Sequence, residues 1–193
     1  MSKSNSELLS LSRASLNGKW GLAIGTILLL GILEVAAGSI PFLSLILGGP
    51  FTLGAAIFSL NISREREAKL DDIFQGFQNF SNALVTYLLM VLYIFLWSLL
   101  LIIPGIIAGL GYSLVFYIIA DEPDIKPSDA LNKSKQMMDG YKMKMFTLCL
   151  RFFLLGILCV LTLFIGLLWL IPYVHITMAK FYDDVRNAPA QVV

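Results

Sequence analysis

Long apolar stretches alternate with short charged ones along the whole chain. The apolar stretches are too long for strands, and most approach the roughly 20 residues that cross a hydrocarbon core as a helix. They fall at about Trp20–Gly38, Leu43–Asn61, Asn82–Ile103, Gly105–Ala120, Tyr141–Leu163 and Leu167–Tyr182. The pattern predicts an all-α polytopic membrane bundle of six transmembrane helices. A lipid phase offers no partner for free backbone groups, so helices are the expected solution.

Three shorter stretches read as amphipathic helices lying in the interface. In the first, Ser4-Asn5-Ser6-Glu7 fits a capping box, and Leu8, Leu9, Leu11 and Leu16 follow on one face. In the second, Leu70, Ile73, Phe74, Phe77 and Phe80 form a stripe, with Asp71, Asp72, Gln75 and Asn79 opposite. In the third, Pro127-Ser128 starts a helix that places Ala130, Leu131, Ser134 and Met138 together.

Breakers reveal an internal repeat. Gly18, Gly76 and Gly140 precede outgoing spans, and Pro50, Pro104 and Pro172 mark the return, at separations of 32, 28 and 32 residues. The expectation is one domain over residues 1–193, built as three parallel hairpin units near 4–64, 65–124 and 125–186.

Composition agrees with this class. Hydrophobic residues make up 58% and charged residues 14%, with a mean hydropathy of +0.80. A soluble domain of 193 residues could not bury that much apolar surface. The net charge is only +1, so its distribution carries the information. All 14 Lys and Arg fall in the N-terminal segment, in Arg64–Lys69, in Lys126–Arg151 or from Lys180 onward. The turns near residues 38–49, 102–105 and 163–167 carry no charge. Positive charge stays on the cytoplasmic side during insertion, so both termini are expected to be cytoplasmic in a cell membrane. A cleavable signal peptide is not expected, because a serine-rich amphipathic segment precedes the first apolar stretch.

Candidate chemistry is sparse. Glu34 lies fourteen residues beyond Trp20, about 21 Å along a helix, in the outer leaflet. An acid there is either functional or wetted at the bundle mouth. Arg151 enters the fifth span by about 10 Å; it either snorkels inward or pairs with Glu34 or with carbonyls freed near a proline. His175, three residues after Pro172, reads as lying near the outer end of the last helix. Glu34, Arg151 and His175 could together line a polar path. Gly21 with Gly25, and Gly105 with Gly109, match the small-xxx-small pattern of close helix packing. Lys133, Lys135, Lys142 and Lys144 form a basic connector suited to anionic lipid headgroups.

No arrangement of nucleophile and base, no phosphate-binding loop and no metal spacing occurs, so a non-enzymatic protein without cofactor is expected. Cys149 and Cys159 are about 15 Å apart along one helix, too far for a disulfide. The expected partners are membrane lipids and a peptide or membrane-protein partner, not nucleic acid. Two functions follow: binding of lipid headgroups or a membrane-active peptide in envelope homeostasis or immunity, or a small transporter or channel.

Several segments resemble a known family. These are Asn17 to Gly25, Leu96-Trp97-Ser98 through Pro104-Gly105-Ile106-Ile107, Tyr117-Ile118-Ile119-Ala120-Asp121-Glu122-Pro123, Ser134-Lys135-Gln136-Met137-Met138-Asp139-Gly140, and Gly166 to Tyr173 with Phe181-Tyr182. Together they resemble the domain-of-unknown-function family nine-seven-five, small bacterial membrane proteins found mostly in Firmicutes. The family is similar to the membrane module joined to some glycerophosphodiester phosphodiesterases. The resemblance implies a multi-pass membrane module and brings no functional residues. This chain departs from the pattern at Leu114-Val115-Phe116-Tyr117, which lacks a proline before the tyrosine.

Overall fold

The computed structural model describes residues 2–40, 42–161 and 163–188, and among them the regular structure is entirely helical. Ten helices follow in order: α1 (Asn5–Leu16), α2 (Trp20–Gly38), α3 (Leu43–Ser63), α4 (Asp72–Gln75), α5 (Phe80–Leu100), α6 (Ile102–Tyr112), α7 (Val115–Asp121), α8 (Pro127–Met137), α9 (Lys142–Leu161) and α10 (Leu167–Arg186). The helices are arranged between two ends. One, here the turn end, holds the uncharged connections after α2, α5 and α9. The other, the basic end, gathers α1, α4 and α8.

Five helical paths are long and apolar enough to cross a membrane: α2, α3, α5, α6 continued by α7, and α9. The expected sixth, α10, is a helix of 20 residues, but Lys180, Asp183, Asp184 and Arg186 fill its last turns. Charge of that density is costly in hydrocarbon, which sets this element apart from the other five.

Local signals account for many boundaries. Ser4 caps α1: its hydroxyl accepts from the Glu7 N–H at 3.2 Å, and the Ser4 N–H donates back to the Glu7 carboxylate at 2.6 Å. That donation holds the Glu7 carboxyl below the usual carboxylate range. Gly18 and Gly140 adopt φ of 74° and 75°, each at the junction between a basic-end segment and an outgoing helix. Gly76, expected to be their equivalent, has φ of −58° and serves another need. A Cβ on it would lie 1.9 Å from the Pro50 carbonyl oxygen, and a Cβ on Gly54 would lie 1.9 Å from that of Ile73. The backbone of the α4 region therefore sits directly on α3.

This contact alters the expected second amphipathic helix. It shrinks to the single turn of α4. Ile73 is buried, but Leu70, Phe74 and Phe80 are exposed, and Asp72, expected on the outer face, is buried. Asp72 accepts from the Asn61 amide, the Lys69 N–H and the Gln75 amide, which offset its desolvation.

The fourth path is broken. α6 and α7 are separated by Ser113 and Leu114 without any proline. Ser134 on α8 fills the gap: its hydroxyl donates to the Gly111 carbonyl at 2.7 Å and accepts from the Leu114 N–H at 3.3 Å. Ala130, Leu131, Ser134 and Met138 are all buried, so this face of α8 packs inside the protein and not into the lipid interface expected for it.

The largest core cluster surrounds α7. Leu114, Val115, Ile118 and Ile119 pack with Leu8, Leu131, Met138, Phe181 and Tyr182. Each such side chain contributes about 1.5–3 kcal/mol through burial. The core thus sits toward the basic end. The outer faces of α5 and α9 are apolar and exposed along most of their length.

Candidate functional site

Two of the three intramembrane polar candidates meet in one cavity. It has a volume of about 380 Å³ and lies between α2, α3, α7 and α10. Glu34 and His175 line it, with Thr52, Ser113, Phe116 and Tyr117. Glu34, on the penultimate turn of α2, is itself exposed. His175 is not near the turn end as expected. Its neighbour Ile176 packs in one cluster with Leu16 and Ala23, which places His175 level with the start of α2. His175 lies eight residues into α10, about 12 Å from its start, and Tyr173 already donates to the Leu9 carbonyl on α1 at 3.0 Å.

The hydroxyls of Thr52 and Ser113 are taken up by carbonyls of their own helices, Gly48 at 2.7 Å and Leu110 at 2.8 Å. The Tyr117 hydroxyl, the His175 ring and the Glu34 carboxylate carry no hydrogen bond to other described residues, so the cavity offers three polar groups to a guest. Arg151 does not join them. It is exposed on α9, away from the cavity lining.

Beyond Tyr117, toward the basic end, the centre is closed. Tyr117 stacks on Tyr182 with ring centroids 5.7 Å apart. The Tyr182 hydroxyl donates to Asp121 at 3.0 Å. Arg64, immediately after α3, donates to Asp121 at 2.6 and 2.8 Å and to Asp183 at 2.6 and 3.0 Å. Arg186 also pairs with Asp121, and the Ser63 hydroxyl bonds Asp183 at 3.4 Å. Hydrogen bonding to Asp121, then to Asp183, raises the already high affinity of Arg64 for its proton, so the guanidinium stays charged. This cluster ties the ends of α3, α7 and α10 together. Asp121 and Asp183 lay in plain view in the sequence, but only the fold shows that one arginine serves both.

The four connector lysines divide. Lys133 pairs with Glu122 at 2.5 Å. Lys144 pairs with Asp184 at 2.7 Å and stands over the rings of Tyr141 and Phe181. Lys142 is 3.9 Å from Asp139, the edge of ion-pair contact. Lys135 makes no ion pair among the described residues. Lys135 and Lys142 share the rim of a groove of about 310 Å³ whose walls are Trp97, Pro104, Ile107, Ala108 and Tyr112.

The candidate packing glycines also divide. Gly105 is in close contact, since a Cβ there would lie 2.2 Å from the Ser98 hydroxyl. Gly21, Gly25 and Gly109 have open space where a Cβ would point. The tight seams run through Gly49, Gly54 and Gly76 instead. Among the described residues no group of three or more His, Cys, Asp or Glu could hold a metal, and Cys149 and Cys159 form no disulfide.

An all-helical bundle with five apolar paths of spanning length, exposed over much of their outer surface, is compatible with a membrane protein. The profile of the family described as "Protein of unknown function (DUF975)" matches residues 1–107 and 98–189. The chain belongs to that family. No curated protein and no solved structure matches it.

Proposed function

We propose that the chain is a non-enzymatic multi-pass membrane module that binds anionic lipid headgroups at its basic end, with that end and both termini cytoplasmic. The observation that carries this reading is the groove with Lys135 and Lys142 on its rim and apolar walls below. An anionic phospholipid matches it: a phosphate for the two ammonium groups, an acyl chain for the wall. Lys133 and Lys144 are already neutralised by acids and contribute little attraction. Six crossings as three parallel hairpins fit this orientation. Support comes from Arg64, Asp121 and Asp183, which end the three returning segments and meet at one point.

The test is thermal unfolding of the detergent-solubilised chain with added phosphatidylglycerol or phosphatidylcholine. A ligand that binds only the folded state raises the midpoint. Phosphatidylglycerol should raise it more, and Lys135→Gln with Lys142→Gln should remove the difference. Lys133→Gln with Lys144→Gln should keep it. Equal behaviour of both double variants would sink the reading.

A second reading, a small transporter, is favoured by the Glu34 and His175 cavity and by its closure at the basic end.

A further inference from the structure

We infer that the cavity between α2, α3, α7 and α10 binds a small organic cation with an apolar body, and that the Arg64–Asp121–Asp183 cluster is the gate closing it toward the basic end. The ligand class comes from the lining; the gate rests on the transporter reading.

Glu34 is far along the chain from every charged stretch: no other Asp, Glu, Lys or Arg lies between Lys19 and Arg64. It stands at the end of the cavity near the turn end and has no cationic partner among the described residues. An unneutralised carboxylate at an apolar site attracts a cation more strongly than it would in water. About seven residues down α2, Ile27 lines the same cavity, so the site extends about 10 Å from Glu34. Leu30, Phe116 and Ile171 give it apolar walls, and a ring face such as that of Phe116 tolerates a cation at close range. At the far end, Tyr117 is only 7% exposed and its hydroxyl has no hydrogen-bond partner among the described residues. Tyr117 lines the cavity, so its hydroxyl is open to a polar group of a ligand. A volume of about 380 Å³ lies within the range of small-molecule sites. An anionic guest is disfavoured by Glu34. A neutral lipid chain would leave Tyr117, His175 and Glu34 unanswered.

The gate follows from what lies behind Tyr117. Its ring stacks on Tyr182, whose hydroxyl is held by Asp121, which Arg64 in turn ties to Asp183. Helices α3, α7 and α10 line the cavity and end in this one cluster. Separating their ends would open the cavity toward the basic end, and the ion pairs oppose that separation.

The chain in lipid nanodiscs is titrated with phenethylammonium, tetraethylammonium and tetraphenylphosphonium, following tryptophan fluorescence and calorimetric heat. At least one should bind saturably, and phenylpropionate should not compete. Glu34→Gln, which loses no hydrogen bond or ion pair to the described residues, should weaken binding about tenfold or more. Phe116→Leu should weaken it less. No saturable binding of any of the three cations, or equal binding by Glu34→Gln, overturns the site. The gate is tested by exchange of the bound radiolabelled cation across proteoliposomes. Asp183→Asn should accelerate exchange relative to the parent chain. Binding without exchange in either protein would overturn the gate and the transporter reading and leave the binding site standing.

Discussion

α7 and the outer half of α5 are equally apolar and meet opposite fates. Val115 to Ile119 are buried on every side, whereas Phe95, Leu96 and Leu99 to Leu101 are at least half exposed. Hydrophobic pattern alone does not separate them. The separating signal is what surrounds each segment in sequence. α7 ends on Asp121, is followed by Glu122 and Asp124 and precedes the polar α8, so the chain brings polar partners that fold back over it. α5 runs into an uncharged turn and α6, with nothing polar to cover it. The basic end is therefore a compact protein core, and the turn end presents its apolar surface outward, as lipid solvation requires.

Substitutions in the two regions should differ accordingly, and the largest effect should come from Gly54→Leu. Its Cβ would overlap the Ile73 carbonyl oxygen, a backbone atom that cannot swing aside. The α3 and α4 segments would have to separate, exposing Ile73 and the bonds to Asp72. The expected cost exceeds about 4 kcal/mol, the range of severe overpacking and broken buried networks, read as loss of monodisperse protein after detergent extraction. Gly21→Leu, with open space at the Cβ, should extract normally. Next in size is Arg64→Gln. It would leave Asp121 with Arg186 and the Tyr182 hydroxyl, and Asp183 with no ion pair among the described residues. The side chains involved are 11–22% exposed, so water relieves part of the loss. About 2–3 kcal/mol is expected, below the full cost of breaking a buried pair. A fall in unfolding midpoint of a few degrees would register it, and an unchanged midpoint would mean that the cluster holds nothing together.

Much of the fold was legible because it is local. The capping box at Ser4 and Glu7 and the breaks at Gly18 and Gly140 depend on a few adjacent residues. The shared face of Ala130, Leu131, Ser134 and Met138 was equally legible, but not that protein covers it where lipid was expected. What the sequence concealed depends on contacts distant along the chain. Asp72 reads as a surface acid until Asn61 and the Lys69 N–H close around it. The break between α6 and α7 has no proline to announce it, since its cause is Ser134, twenty residues further on. The open Gly21, Gly25 and Gly109 show that spacing of small residues states a capacity for close packing, and the neighbour decides whether it is used. Of the candidate site, Glu34 and His175 share a cavity because His175 lies two turns into α10, away from the turn end. Arg151 lies apart because α9 presents it outward.

The smallest expected effect, that of Leu99→Ala, becomes the sharpest test of the contrast when paired with Leu114→Ala. Leu114→Ala and Leu99→Ala remove the same atoms, one from a side chain 0% exposed and one 74% exposed. At Leu114 the deletion leaves a void among Leu131, Met138 and Phe181, and about 2–5 kcal/mol should be lost. At Leu99 a neighbouring acyl chain replaces the missing atoms, and the change should stay within about 0.5 kcal/mol. Paired unfolding midpoints in one lipid composition would measure the difference. If Leu99→Ala proved as costly as Leu114→Ala, lipid could not be what covers this face of α5. A second protein surface would have to pack against it, and the exposed stripe of α5 would be an interface.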